Sequence, residues 1–451
     1  MLNELNTFLA KNNFSKIDIQ KLTNDLLLDM SLGLNQENNS INSASIPAKD
    51  LPPADQPMLV VPGKLPSSLP PDSKTIVIDA GGTNFRSCLV SVSSSGQVSI
   101  SDLEKTKMPA IDKELSKVEF YDAIAKNLDH LKNKADRIGF CFSYAMEINA
   151  EGDGKILKFS KEVKAPQAVG TYVGKELKAA LIKRGWENIQ KISLLNDTTA
   201  CLLGGFVHST QNKENFSSYI GFILGTGINN AYIEYNPVPK INDPADNQSK
   251  PHIIVCECGM YNKASSSTFD TTVDSLSANP KSSLLEKKCS GAYLGQVIYH
   301  AVKEACVVNL FSNQFANAFS KLENIQLYDI DLYYNSSKKA RAETKIGTLL
   351  NAGTSKDKKL FLELVSVMIE RSAAIVASVL SASVLKTTKG TQKNNPVCIT
   401  ANGTTFWKTH GLYKMMCKML ARNLSGQNKR YYKIIQVEND ITLGACAAAY
   451  L

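Results

Sequence analysis

The 451-residue chain lacks an uninterrupted apolar stretch long enough to span a bilayer. The nearest candidate is residues 372–385, only fourteen residues long and preceded directly by Glu370 and Arg371. This segment predicts a buried core helix. Polar residues from Asn3 to Lys11 interrupt any apolar core of a signal peptide. We therefore expect a cytoplasmic protein with no membrane partner.

Paired C-x-x-C motifs are also absent, although the chain has ten cysteines. The closest pair, Cys256 and Cys258, has too narrow a spacing and too few partners for a typical zinc site. The pattern favours buried thiols on either side of Glu257. Many free thiols indicate a reducing compartment.

The chain has no cluster of basic residues, even though its formal charge is +9. Lysines are scattered, with short pairs such as Lys287–Lys288, so no basic stripe for nucleic acid is predicted. Two explanations of the positive charge stay open: a surface that attracts a polyanionic nucleotide, or an excess of basic residues that has no function. Length and composition predict two or three globular domains.

Two glycine turns are the most informative feature that is present. Residues 76–89 read IVIDAGGTNFRSCL, a strand that ends in Asp79, turns at Gly81–Gly82 and resumes at Phe85. Residues 220–233 read IGFILGTGINNAYI and repeat the pattern around Gly225 and Gly227. Glycines let the backbone approach an anion, and successive N–H groups at such turns favour phosphate. Two such hairpins predict two similar half-domains that hold one nucleotide.

The remaining pattern predicts alternating strands and helices, and therefore an α/β fold with mixed sheets. A helix over 15–33 is predicted to begin with a capping box of Ser15 and Asp18. Eight of the sixteen prolines lie between Pro47 and Pro71, which predicts an extended crossing. Further predicted helices are 118–135, 171–184, one from about Thr198, 292–310, 358–386, 409–424 and 441–451. Predicted strands are 76–79, 85–92, 97–100, 137–143, 191–195, 218–235 as a pair, 253–258, 396–400 and 431–437.

Several polar residues follow apolar strands and are candidates for chemistry. Asp197 lies where a strand ends and a helix begins, so it suits a general base or, alternatively, a helix N-cap. Glu257 also follows an apolar strand, and two carboxylates in a cleft suit hydrogen bonds to sugar hydroxyls. The alternative for Glu286 is that it is a solvated charge on a loop, with no role in binding. Ser143 and Ser160 fit turns as well as ligands.

The order of these motifs resembles the hexokinase family, the eukaryotic-type sugar kinases of the actin-like ATPase superfamily. The resemblance runs from about Leu51 to the C-terminus. It is carried by the two glycine turns, the glutamate segments at Glu257 and Glu286, and these further segments: Phe142–Ser143–Tyr144, Phe159–Ser160–Lys161, Asn196–Asp197–Thr198 and Ala401–Asn402–Gly403–Thr404.

The resemblance implies a hexokinase that transfers the γ-phosphoryl group of ATP to the 6-hydroxyl of a hexose, most simply glucose. Asp197 would be the base, Arg86 and Lys161 would offset phosphoryl charge, and Asp79 would organise Mg²⁺ through water. The implied sugar ligands are Ser143, Ser160, Lys161, Asn196, Asp197, Asn229, Glu257 and Glu286. The implied nucleotide contacts are Asp79, Gly81, Gly82, Thr83, Asn84, Gly225, Thr226, Gly227, Gly403 and Thr404.

The implied fold is a two-domain actin-like ATPase (ribonuclease H-like) fold with a cleft between a small and a large domain. We expect residues 1–68 to pack with the large domain, 69–195 plus 439–451 to form the small domain, and 196–438 the large one. We expect closure on sugar and a monomer or homodimer.

Some positions depart from the family pattern. Ala145 stands for a usual proline, Phe159 and Cys258 for tryptophans, and Ser160 for a threonine. Residues 439–444 replace a glycine- and serine-rich turn near the nucleotide.

Three other functions stay open from the sequence. A hexose-binding regulator without catalysis would share the fold, and an acetate or glycerol kinase would share the superfamily. A Rossmann dehydrogenase fits worst, because neither glycine turn is a G-x-G-x-x-G that opens a helix.

Overall fold

A computed structural model of the chain describes residues 2–35, 53–62, 68–159, 163–241 and 251–451. Strands and helices alternate, as the sequence predicts, and the strands form one five-stranded, one six-stranded and one two-stranded sheet.

The five-stranded sheet has the order β4-β3-β2-β5-β8. Its strands are β2 (Lys74–Gly81), β3 (Asn84–Val92), β4 (Val98–Lys107), β5 (Arg137–Phe142) and β8 (Lys191–Leu195). The first three form an antiparallel meander, and β5 and β8 continue the sheet in parallel from β2. Because β2 and β5 are buried on both faces, their sequences are continuous apolar runs.

The six-stranded sheet has the order β1-β11-β10-β9-β12-β13. Its strands are β1 (Leu59–Val61), β9 (Ser218–Leu224), β10 (Ile228–Glu234), β11 (His252–Val255), β12 (Val397–Asn402) and β13 (Tyr432–Ile435). β9 and β10 form an antiparallel hairpin, and β12 runs parallel to β9. A separate hairpin joins β6 (Ala145–Ile148) to β7 (Gly154–Lys158).

Sixteen α-helices cover these sheets within the described ranges. They are α1 (Leu2–Lys11), α2 (Ile19–Asn35), α3 (Lys117–Lys126), α4 (Val173–Lys183), α5 (Asp197–Gln211), α6 (Thr268–Leu276), α7 (Leu284–Cys289), α8 (Leu294–Val307), α9 (Asn313–Phe319), α10 (Leu327–Asn335), α11 (Lys338–Glu343), α12 (Lys345–Ala352), α13 (Ser355–Lys386), α14 (Thr404–Lys408), α15 (Leu412–Asn423) and α16 (Asp440–Ala448).

Helices α5 and α16 pack in a core that both large sheets share. Leu202 and Ala445 lie in one buried cluster with Val77 of β2 and Ala231 of β10. The two helices touch closely, because a Cβ on Gly444 would lie 1.8 Å from the carbonyl oxygen of Ala200. Glycine at 444 therefore permits the contact, in which Ala200 lies against Gly444 and Gly204 lies against Asp440.

The predicted core helix over 372–385 is confirmed as the second half of α13, whose side chains from Arg371 to Val384 are buried. None of the helices in the described ranges is long and apolar enough to cross a membrane. Helices α1 and α2 share a core with α13 and with Ile220 of β9. The domain limits at residues 68, 195 and 438 stay predictions.

Three predicted helices were wrong in detail. The predicted cap at Ser15 was wrong, since α2 begins at Ile19 and the Asp18 carboxylate accepts the Lys21 N–H at 3.0 Å. The helix predicted to reach residue 135 ends at Lys126. The helix predicted over 409–424 begins only at Leu412, because Gly411 before it has a φ of +77°, which suits glycine and lies outside the helical region.

Candidate active site

The first glycine turn joins β2 to β3 and is held from the adjacent strand. The backbone N–H of Ser143 donates to the carbonyl of Ala80 at 3.0 Å, and the Tyr144 hydroxyl donates to the carbonyl of Gly82 at 2.7 Å. Gly82 has a φ of +56°, and nothing lies within 4 Å of the place a Cβ would take. Thr83 is exposed. The turn is therefore rigidly held and open on its outer side.

Asp79 lies on β2 just before this turn and faces Arg86 on β3. The guanidinium Nη1 and the carboxylate Oδ2 are 3.5 Å apart. Burial raises the pKa of Asp79; the nearby Arg86 lowers it, and the carboxylates of Asp197 and Asp440 raise it further. Three aspartates from β2, α5 and α16 therefore share one electrostatic environment.

Asp197 is the first residue of α5, and its neighbour Asn196 is the N-cap. The Asn196 side-chain oxygen accepts the Thr199 N–H at 2.8 Å, so the alternative in which Asp197 caps the helix was wrong. The Thr198 hydroxyl donates to Asp197 Oδ1 at 3.1 Å. Burial is the main cause that raises the pKa of Asp197. The carboxylate is thus oriented, poorly solvated and suited to accept a proton.

The second glycine turn joins β9 to β10 and is tied to two later segments. The carbonyl of Gly225 accepts the N–H of Gly291 at 2.8 Å and the Thr405 hydroxyl at 2.9 Å. Gly403 packs directly on this turn, because a Cβ there would lie 2.1 Å from the carbonyl oxygen of Leu224. The predicted nucleotide contact Gly403 and the second turn therefore meet.

The two predicted glutamates lie beside the second turn. The Asn229 amide donates to Glu257 Oε1 at 2.7 Å, and the Ile228 N–H donates to Glu286 Oε2 at 3.2 Å. Gly227 leaves room for this, because a Cβ there would lie 2.4 Å from Glu286 Oε2, closer than real Cβ atoms come. Glu286 is on α7 and half-buried, so its alternative as a solvated loop charge was wrong.

Burial also raises the pKa values of the glutamates. For Glu257 the Asn229 hydrogen bond lowers the pKa, whereas the charges of Asp197 and Glu286 raise it. Glu257 therefore lies within reach of the charges of both Asp197 and Glu286. These three carboxylates are held by three elements: α5, the segment after β11, and α7.

Of the other predicted site residues, some are exposed and two lie outside the residues that the structure describes. Ser143, Asn84, Thr226 and Thr404 are exposed, as free ligands would be. Ser160 and Lys161 lie outside the described residues. Of the described ranges, no group of three or more His, Cys, Asp or Glu side chains suits a metal ion. The predicted buried thiols of Cys256 and Cys258 are confirmed.

Sequence reasoning missed Asp440 and Asn402 as members of this cluster. The Asn402 amide nitrogen lies 2.8 and 2.7 Å from the two carboxylate oxygens of Asp440, which is only 4% exposed. The available signal was a carboxylate at the start of the last apolar helix. Its partner is 38 residues away, so the pairing was invisible in the sequence.

The raised pKa values predict that these carboxylates oppose folding near neutral pH. A carboxyl group with a raised folded pKa adds stability at low pH and loses it as the pH rises through that pKa. We expect Glu257→Gln to raise the melting temperature at pH 7 and to lose this advantage as the pH falls towards 4. The exposed Glu114→Gln is the control and should show no such trend. An equal or lower melting temperature for Glu257→Gln at pH 7 contradicts the argument.

Comparison with known proteins identifies the family. Sequence models of the hexokinase family match residues 219–451 and residues 4–206. The first of these alone covers more than half of the chain.

The chain belongs to the hexokinase family.

Its curated relatives include sugar kinases of yeasts. The chain is 27% identical to glucokinase-1 of Kluyveromyces lactis over 350 residues, which cover 69% of this chain and 71% of that protein. It is 24% identical to glucokinase-1 of Saccharomyces cerevisiae over 418 residues, which cover 82% and 83%.

Solved structures share the fold. A hexokinase from Schistosoma mansoni in complex with glucose covers the whole chain and 98% of its own, with a TM-score of 0.71 and 19% identity. A second hexokinase structure covers both chains completely, with a TM-score of 0.75 and 19% identity. The predicted resemblance to the hexokinase family and the predicted two-domain α/β fold class are confirmed.

Two departures from the hexokinase pattern lie in packed surroundings. Phe159 contacts Phe120, Phe142 and Tyr144 edge to face. Cys258 is 1% exposed and lies in the core of the six-stranded sheet.

Proposed function

We propose that this protein is an ATP-dependent hexokinase that transfers the γ-phosphoryl group of ATP to the 6-hydroxyl of a hexose, with glucose as the first sugar to test. One observation carries the proposal: a carboxylate of raised pKa, Asp197, shares its environment with Asp79 beside the first glycine turn and with Glu257 beside the second. Membership of the hexokinase family and the yeast glucokinase relatives support the same activity.

The glutamate pair is the proposed sugar anchor. Carboxylate oxygens accept several hydrogen bonds each, so Glu257 and Glu286 suit a ligand covered with hydroxyl donors. Asn229 orients Glu257, and the exposed Ser143 faces the space over the first turn. Asn196 adds an amide beside the base. We extend the same role to Ser160 and Lys161.

Asp197 is the proposed general base for the sugar hydroxyl. The reaction needs a proton acceptor at the attacking oxygen and otherwise depends on positioning and charge neutralisation. The 6-hydroxyl of the sugar would give its proton to the Asp197 carboxylate while the oxygen attacks the γ-phosphorus, and ADP leaves. The Thr198 hydroxyl holds the carboxylate in place during this step.

The two glycine turns are the proposed phosphate site. Backbone N–H groups of Gly81 to Asn84 and of Gly225 to Gly227 would face the phosphates, with Gly403 and Thr404 nearer the adenosine. Arg86 is half-exposed and would offset charge on the transferring group, as would Lys161.

Asp79 fits the part of a Mg²⁺-organising carboxylate. It is half-buried, it stands directly before the first turn, and its raised pKa indicates a site that a cation would stabilise. Mg²⁺ keeps several waters and takes one or two carboxylates plus phosphate oxygens, so one side chain suffices. When bound, the ion would neutralise charge on the phosphates. The proposal also includes closure of the two domains on the sugar and a cytoplasmic location. It further includes a monomeric or homodimeric state without nucleic-acid or membrane partners.

The pH dependence of turnover should follow Asp197. Only the ionised carboxylate accepts a proton, and burial raises its folded pKa. We therefore expect kcat to fall on acidification with a midpoint above about 4, the ordinary value for aspartate. The measurement is kcat against pH at saturating ATP and glucose. A kcat that stays level down to pH 4 contradicts the role of Asp197.

Gly82→Ala should weaken nucleotide binding without special damage to the fold. Gly82 and Gly426 have φ values of +56° and +60°, and neither has an atom within 4 Å of an added Cβ. Both alanine variants therefore carry the same backbone strain, about 1–2 kcal/mol. Only the methyl at 82 would occupy the phosphate side of the turn. We expect at least a tenfold rise in the ATP dissociation constant for Gly82→Ala and less than twofold for Gly426→Ala, measured by fluorescence titration. Equal effects contradict a phosphate role for the turn.

A coupled assay of ADP release tests the proposal and its alternatives. The panel contains glucose, mannose, fructose, glycerol and acetate, each with and without Mg²⁺. We expect ADP release with at least one hexose and Mg²⁺. Release with glycerol or acetate alone favours another kinase of the superfamily. Glucose binding without turnover of ATP favours the hexose-binding regulator.

A further inference from the structure

Asp440 is a buried carboxylate near Asp79 and Asp197 for which the proposed reaction has no use. It is the first residue of α16 and 4% exposed. Its two oxygens lie 2.8 and 2.7 Å from the Asn402 amide nitrogen, and Oδ1 also accepts the N–H of Ile441 at 2.8 Å. Within the described ranges no lysine or arginine forms an ion pair with it. A buried charge without a cation needs such hydrogen bonds to be tolerated.

The surroundings of Asp440 disfavour the ionised form of its carboxyl group. The charges of Asp79 on β2 and Asp197 on α5 lie within its range, and the thiols of Cys201 and Cys141 border the same space. The positive charge of Arg86 faces the carboxylate of Asp79 and does not pair with that of Asp440. Burial raises the pKa of Asp440, whereas the Asn402 hydrogen bond lowers it. The amide of Asn402 is therefore the side chain that most favours the ionised form.

The pairing connects three elements: β12, α16 and α5. Asn402 ends β12 and directly precedes Gly403, which packs on the second glycine turn. Asp440 begins α16, and a Cβ on Gly204 of α5 would lie 2.2 Å from the Asp440 carbonyl oxygen. Gly204 belongs to α5, the helix that begins at Asp197. A rotation of Asn402 would therefore alter the orientation of Gly403 and Thr404 relative to the base.

We propose that Asp440 is a positioning residue that fixes Asn402, and through it the Gly403–Thr404 segment, for binding of the nucleotide. The proposal rests on the proposed function of that segment. It assigns no contact between Asp440 and ATP. It requires that the amide–carboxylate pair, and not merely a polar residue at 440, sets nucleotide affinity.

The test compares Asp440→Asn with the exchanged pair Asn402→Asp/Asp440→Asn. The single variant leaves two amides facing each other and removes the charge-assisted hydrogen bond. The exchanged pair restores one amide and one carboxylate. ATP binding is measured with Mg²⁺ by displacement of a fluorescent ATP analogue, glucose binding by intrinsic fluorescence, and folding by melting temperature.

We expect Asp440→Asn to raise the ATP dissociation constant about tenfold, as loss of a charge-assisted hydrogen bond does, with glucose affinity within twofold of wild type. The exchanged pair should recover ATP affinity to within about threefold, a bound set by the same scale. Unchanged ATP affinity in folded Asp440→Asn overturns the proposal, as does equal weakening of ATP and glucose. If Asp440→Asn does not fold, the exchanged pair decides alone, and a folded exchanged pair with ATP affinity tenfold weaker overturns it. Wild-type protein that binds neither ATP nor glucose would instead refute the proposed function.

Discussion

Asp197→Asn should lower kcat for glucose phosphorylation by about 10²- to 10⁴-fold, the usual contribution of a general base. The amide has nearly the same shape and can still accept the Thr198 hydroxyl, which lies 3.1 Å from Oδ1 in the wild type. Asn196 continues to cap α5, because its own oxygen makes that bond. The loss should therefore fall on proton transfer alone. Initial rates of ADP release at saturating glucose and ATP measure it.

Binding and folding provide the controls for this variant. Glucose and ATP dissociation constants should stay within about threefold of wild type, a difference well under one kcal/mol. The melting temperature at pH 7 should rise, because the variant removes a carboxylate whose pKa burial raises. Asp112→Asn, which removes a charge from an exposed loop, should leave kcat unchanged. A kcat within tenfold of wild type for Asp197→Asn would contradict the base assignment.

Gly403→Ala should both destabilise the protein and abolish tight nucleotide binding. Its φ of +115° is a conformation that side chains other than glycine rarely adopt, and the added Cβ would lie 2.1 Å from the carbonyl oxygen of Leu224. Backbone strain and overpacking each cost about 1–3 kcal/mol, so the free energy of unfolding should fall by roughly 2–6 kcal/mol. The second glycine turn must move to relieve the clash, because Leu224 is the residue before Gly225.

Denaturant titration and ATP binding measure the two effects separately. Gly426→Ala, with positive φ but no clash, should lose only about 1–2 kcal/mol and keep its ATP affinity. For Gly403→Ala under conditions where it is still folded, we expect an ATP dissociation constant raised at least tenfold. A Gly403→Ala protein as stable as Gly426→Ala, with normal ATP affinity, would show that the packing of Gly403 on the second turn is not required.

The sequence was sufficient to predict the class of the fold, and it singled out Asp79, Asp197, Glu257 and Glu286 as candidates before the structure related them. Apolar runs ending in Asp79, Leu195 and Val255 marked buried strands, and the residues after them form the cluster. The glycine turns were visible because glycine is needed at Gly82 for its φ of +56° and at Gly227 for the close approach of Glu286. These signals are local, so they can be detected without knowledge of partners.

Short helices between the strands of the six-stranded sheet were not predicted. No helix was predicted between residues 311 and 357, where α9 to α12 lie. Helix α11 has no buried residue, and so it lacks the apolar periodicity on which prediction depends. The capping box of Ser267 and Asp270, by contrast, is a local signal that was present for α6 and was not used.

The relation between Asp440 and Asn402 was beyond any local pattern. Each residue alone suits a helix start or a strand end, and their contact depends on how α16 packs against α5 and β12. The same limit applied to Asn196 and Asp197, adjacent residues that both suit an N-cap. Only the geometry assigns the cap to Asn196 and leaves the Asp197 carboxylate free for other chemistry.

The position of the transferred phosphoryl group tests the central claim most directly. The enzyme is incubated with Mg²⁺, ATP and glucose, and the product is assigned by phosphorus–carbon coupling in NMR; 6-deoxyglucose serves as the parallel substrate. We predict that glucose is phosphorylated on the oxygen of carbon 6. We predict that 6-deoxyglucose binds to the protein but gives no phosphorylated sugar. A product phosphorylated at another carbon, or transfer to 6-deoxyglucose, would contradict the claim that the two glycine turns and Asp197 act together on the 6-hydroxyl.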